Sequence, residues 1–130
     1  MFRKKPTGVC RAETRSGDVA AYCPDAGDVI WLDLMQPVGN EQAGRRPALV
    51  LSPRTFNRLT GRCIACPITR RDRDWSFQVP IPEGHKVSGV VQADQLRSLS
   101  WEQRGSRFLC EAPNGVLEEV RAKIKPLLLL

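Results

Sequence analysis

The 130-residue sequence predicts a mainly β protein, a small and strongly bent antiparallel barrel closed by a C-terminal helix. Three observations carry this expectation. Short apolar stretches follow one another at close spacing, aromatic residues make up only 6% of the chain, and a helical period sets in from Pro113 to the C-terminus. At this length one domain is the default, because the chain can bury a real core but is too short for two independent ones. With 42% hydrophobic and 26% charged residues, the composition excludes a disordered chain.

Residues 1–21 contain Arg3, Lys4, Lys5, Arg11 and Arg15 without apolar periodicity, so they read as a flexible basic tail ahead of a folded domain at 22–130. The first strand is expected at Asp28 to Met35, before a polar loop opened by Pro37, Gly39 and Asn40. Ala48 to Ser52 is a continuous apolar run between Pro47 and Pro53, which suits a central strand buried on both faces. Ser52 as N-cap and Pro53 at the first helical position then predict a short helix over Arg54 to Leu59, stopped at Gly61. Further strands are expected at Arg62 to Ile68, Phe77 to Ile81, Gly89 to Ala93, Gln95 to Ser100 and Arg107 to Glu111, with a break near Asp94. Phe77, Val79 and Ile81 should point inward. Val116, Leu117, Val120, Ile124 and Leu127 share one helical face, and Glu118 and Glu119 stand early while Lys123 and Lys125 stand late, as the helix dipole prefers.

The net charge is +6, and Arg supplies most of the basic residues. Between Arg45 and Asp74 lie eight arginines against Asp72 and Asp74 alone, which concentrates the excess in mid-chain and points to a polyanionic partner. The five cysteines are an odd number without framework spacing, and no apolar leader precedes them, so a cytoplasmic location with reduced thiols is expected. Cys63 and Cys66 form a CxxC, but on a strand residues three apart face opposite ways and cannot share a metal. No metal or cofactor is expected. No apolar run approaches the roughly 20 residues of a membrane span, so no membrane partner is expected either.

The stretches Gly27-Asp28-Val29-Ile30-Trp31, Glu41-Gln42-Ala43-Gly44-Arg45-Arg46-Pro47 and Val50-Leu51-Ser52-Pro53 follow one another in a characteristic order. Asn57, Thr60-Gly61, Pro67-Ile68-Thr69, Gly89-Val90 and Ala93-Asp94-Gln95-Leu96 continue it, so that the pattern covers about Tyr22 to the C-terminus. The sequence thereby resembles the MazF/PemK family of toxin endoribonucleases. The resemblance implies a partly open SH3-like barrel of the CcdB/PemK type, a homodimer, single-stranded RNA as substrate and an acidic antitoxin protein as partner. It also implies that the Arg of E-Q-x-G-x-R-P and the Thr ending the third strand form the active site, here Arg46 and Thr69, with Glu41 as a supporting candidate.

RNA carries its own nucleophile in the 2′-hydroxyl. An enzyme has to help remove its proton, stabilise the charge at phosphorus and protonate the leaving 5′-oxygen. The single histidine, His85, excludes a two-histidine solution by count. Arg46 offers a fixed positive fork, whereas a guanidinium keeps its proton at neutral pH and so makes a poor base, and Thr69 suits donation to a phosphate oxygen. The base stays open, with Glu41 as candidate; read without the family pattern, Glu41 equally fits a loop tether. Arg45, Arg70, Arg71 and Arg73 are candidate phosphate contacts, Trp75 a candidate base-stacking platform, and Gln95 a candidate reader of a base edge or a structural strand start. Trp31 and Trp101 read better as packing residues. The rival reading is a CcdB-like protein of the same fold that poisons gyrase without catalysis, and a third is a plain basic nucleic-acid-binding module.

Overall fold

The computed structural model describes residues 22–34 and 44–130. Seven strands form one antiparallel sheet in the order β4-β5-β3-β2-β1-β7, with β6 paired to β3 off that path. They are β1 (Asp28–Leu34), β2 (Gly44–Val50), β3 (Arg62–Thr69), β4 (Gln78–Pro80), β5 (Val90–Gln92), β6 (Arg97–Ser100) and β7 (Arg107–Glu111). Among the described residues two α-helices accompany the sheet, α1 (Arg54–Thr60) and α2 (Val116–Leu127). Among the described residues no helix is long and apolar enough to cross a membrane.

The run Ala48-Leu49-Val50 is buried on both sides of β2, as its unbroken apolar character demands. Leu49 faces a first core with Val29, Cys66, Ile68, Val79 and Val91, closed by Val116, Val120 and Ile124 of α2. Ala48 and Val50 face a second core with Ile30, Leu32, Cys63, Ala65 and Leu99, against which Tyr22 and Trp101 pack. The two cores therefore lie on opposite sides of the same central strands. Cys63 and Cys66 fall one in each, so the CxxC is a strand parity effect and not a ligand pair.

Several expectations need correction. The second strand begins at Gly44, well before Ala48, and ends at Val50. Pro47 is accommodated because the β2–β3 ladder starts only at Ala48↔Pro67, leaving that stretch of β2 without a β3 partner to serve. Ser52 does not cap α1: Pro53 occupies the N-cap without a side-chain cap bond. The Ser52 hydroxyl instead donates to Asn57 Oδ1 at 2.6 Å and accepts the Ile64 N–H at 2.8 Å. Fully buried Asn57 donates in turn to the carbonyls of Pro24 (2.8 Å) and Ser52 (3.0 Å), and Trp101 Nε1–H donates to its backbone oxygen at 3.0 Å. This network holds α1 and the β6–β7 turn against the second core. Leu127, expected on the apolar helix face, is 44% exposed in the last turn beside Pro126. The first strand is described to Leu34, and Met35 lies outside the described residues.

β3 organises the sheet by pairing with three strands. One edge meets β2 through Ala65–Pro67, while the other meets β6 through Arg62–Ala65 and then β5 through Ile68–Thr69. Pro67, which has no N–H to donate, stands at this handover. Between β5 and β6 the chain makes a single 3-10 turn, Ala93–Gln95, so Gln95 belongs to that turn and not to a strand start.

Burial pushes the Cys63 and Cys66 thiols up to about 12. The folded state thus holds both thiols neutral over a range in which the unfolded chain ionises them. Their contribution is complete below the unfolded thiol pKa near 9 and is lost as pH rises from there towards 12, at roughly 2 kcal/mol or more per thiol by pH 11. Urea unfolding at pH 8 and pH 11 should show the Cys63→Ala/Cys66→Ala variant losing clearly less stability than the parent over that interval. An equal loss in both proteins would contradict the assignment.

Candidate functional site

The candidate site grows out of the β2–β3 register. Ala48 pairs with Pro67, and continuing that register two residues sets Arg46 across from Thr69, on one face and just past the end of the hydrogen-bonded ladder. Arg46 is half-buried and shares its face with Ala48 and Val50, while Thr69 shares its face with Ala65 and Pro67. The Thr69 hydroxyl accepts the Arg71 N–H at 3.2 Å, which aims it and leaves its proton available to a ligand.

Thr69 is placed by the segment beside it. Gly89 stands at φ +118°, and a Cβ there would collide with the Thr69 carbonyl oxygen. Only glycine meets both demands. Gly89→Ala is therefore expected to cost more than about 1 kcal/mol in stability and to displace Thr69, lowering activity beyond what destabilisation explains. Thermal melting and activity well below the melting temperature separate the two effects; an active, equally stable variant would refute the placement.

Arg46 also lines a cavity of about 100 Å3 with Leu32, Ala48, Ala65, Pro67 and Leu99. Gln92, Gln95, Arg97 and Arg104 complete the lining. Three guanidinium groups thus converge on one depression that no described carboxylate lines. Arg46 and Arg97 make no ion pair among the described residues. Arg104 is set by β1: its backbone oxygen accepts the Asp33 N–H at 3.0 Å and its Nη1 donates to the Asp33 carbonyl at 3.4 Å. The apolar floor raises the effective strength of the half-buried Arg46 and Arg104 charges by excluding water on that side, while Arg97 stands exposed at the rim.

The other candidates fall in different places. Arg45 points to the opposite face from Arg46 and forms an ion pair with Asp33 at 3.3 Å, which compensates its charge. Arg70, Arg71 and Arg73 are exposed on the β3–β4 loop. Buried Gln78 templates that loop, accepting the Arg73 N–H at 2.9 Å and donating to the Arg71 carbonyl at 3.2 Å. Trp75 is 52% exposed, with its Nε1–H directed to Asp94 at 3.3 Å and its ring tilted against Phe77. Trp101 packs as expected, whereas Glu41 lies outside the described residues. Sequence reasoning missed Gln92, Arg97, Arg104 and the loop template Gln78. Arg97 alone left a signal, since it shares the strand parity of buried Leu99 and so presents a charge on a core-facing side.

The family model for the PemK-like, MazF-like toxin of type II toxin-antitoxin systems matches residues 25–128. The chain belongs to this family. The MazF endoribonuclease toxin of Escherichia coli is 40% identical over 110 residues, spanning 85% of this chain and 98% of that one. The crystal structure of MazF from Deinococcus radiodurans superposes with a TM-score of 0.77 at 50% identity, covering 84% of this chain and 99% of its own. A MazE-MazF structure from the same organism gives 0.75 at 48% identity, covering 82% and 96%. The antiparallel sheet with its terminal helix is thus the PemK/MazF toxin fold, as the resemblance leads one to expect.

Proposed function

We propose that this PemK/MazF-type toxin is a metal-independent endoribonuclease that cuts single-stranded RNA in the cytoplasm. Its partners on this reading are RNA, a second copy of itself and an acidic antitoxin. The observation that carries the reading is the placement of Arg46 and Thr69 on one face beside a cavity rimmed by three arginines. A polyanion is attracted there, and only its scissile phosphate needs to reach the strand ends.

In the proposed reaction the 2′-oxygen attacks phosphorus, its proton passes to a base, and the P–O5′ bond breaks as the 5′-oxygen takes up a proton. Arg46 stabilises the negative charge of the pentacovalent state and is a candidate donor to the leaving oxygen. The Thr69 hydroxyl donates to a non-bridging oxygen. Glu41 is the candidate base. The exposed Arg70, Arg71 and Arg73 would guide the strand, with Trp75 stacking on a base, while paired Arg45 is left a weaker contact.

Incubating the purified protein with a long single-stranded RNA in EDTA tests this reading. Discrete fragments are expected. Intact RNA would overturn it and return weight to a gyrase-poisoning or merely RNA-binding role.

A further inference from the structure

The cavity beside Arg46 has a composition that phosphate binding alone does not explain. Guanidinium groups suffice to hold phosphate, yet here they stand at the rim of an apolar floor of Leu32, Ala48, Ala65, Pro67 and Leu99. Two amide side chains overlook that floor from one side. Gln92 ends β5 and Gln95 ends the 3-10 turn, and both registers, β3–β5 and β3–β6, converge on Pro67 when extended to them. The cavity therefore occupies the fork where β3 passes from one partner strand to the other. Neither glutamine amide makes an intramolecular hydrogen bond among the described residues, so each keeps a donor and an acceptor for a ligand.

We propose that this fork is a base pocket that receives one pyrimidine flanking the scissile phosphate, with the Gln95 amide reading its Watson–Crick edge. The inference rests on the RNA-cleaving reading above and adds its specificity. An apolar floor suits a ring, and the guanidinium groups of Arg97 and Arg104 at the rim hold the adjoining phosphates. Size selects the ring. A closed apolar cavity of on the order of 150 Å3 admits benzene. This one, at about 100 Å3 and open to solvent on one side, suits a single ring better than a fused purine. An amide with one donor and one acceptor matches the N3 and exocyclic positions of uracil or cytosine together.

The test sequences the fragment ends released from a long RNA of balanced composition in EDTA. The parent protein should show a pyrimidine at one fixed position beside the cut, preferred over purines by at least about tenfold, the discrimination expected of a good two-bond contact. Gln95→Ala should reduce that preference to within about threefold at that position and no other. Gln95→Glu, which can only accept, keeps one of the two bonds to either pyrimidine and sets its other oxygen against a ring acceptor, so it should reduce the preference as well. Gln95 is exposed, and circular dichroism with thermal melting would establish that both variants fold. A purine preference at every flanking position overturns the pocket, as does an unchanged preference in both folded variants, and the nuclease reading survives either result. If the parent releases no fragments, the nuclease reading itself fails and the pocket falls with it.

Discussion

Replacing Arg46 by alanine is expected to lower the cleavage rate by at least about 10²-fold, the loss typical of removing one preorganised donor from a developing anion. Arg46→Lys should lose nearly as much. A lysine ammonium is a compact point charge that cannot span two phosphate oxygens in one plane. Neither change should unfold the protein, because Arg46 makes no ion pair among the described residues and stands with Arg97 and Arg104 around one cavity. In Arg46→Ala, relieving that like-charge crowding leaves the melting temperature unchanged or slightly raised, and Arg46→Lys, which keeps the charge, should leave it unchanged. The measurements are initial rates of fragment release, circular dichroism and growth of cells expressing each variant, in which toxicity should disappear. Near-full activity in Arg46→Lys would remove the guanidinium fork from the mechanism.

Deoxy substitution of the single ribose 5′ to the cut should abolish cleavage altogether, since the substrate then lacks its nucleophile. The substituted oligonucleotide should still bind and compete with RNA, because the arginines and Thr69 address phosphate oxygens that remain in place. Products from the unmodified strand should carry a 2′,3′-cyclic phosphate and a 5′-hydroxyl, which mass spectrometry distinguishes from the ends left by activated water. Cutting of the deoxy substrate at an unchanged rate would rule out attack by the 2′-oxygen.

How legible these features were in the sequence depended on the range of the interaction behind each. Ala48-Leu49-Val50 could be read as a doubly buried strand because burial writes itself into consecutive residues. That Arg46 and Pro47 belong to the same strand is not legible locally, because a proline ordinarily ends a ladder and only the late start of the β2–β3 pairing makes room for it. Arg46 and Thr69 were named through a family pattern; that they face one another follows from a register no local signal encodes. Gln95 is legible by its chemistry, but nothing local distinguishes its 3-10 turn from the start of a strand. The seat of Arg104 rests on backbone contacts with Asp33, 71 residues away in sequence, which leave no local trace.

The three-way pairing of β3 also dictates how slowly its amides exchange with solvent. The edge strands β4, β6 and β7 are released when their one neighbour frays, whereas the middle of β3 is released only when β2 and a partner on its other edge let go together. Its central amides should therefore exchange only through global opening, and those near Thr69, held by β5 alone, through cheaper local openings. The proposed catalytic threonine thus sits at the loosening end of the most firmly clamped strand. A local breath there can admit an RNA backbone without disturbing either core.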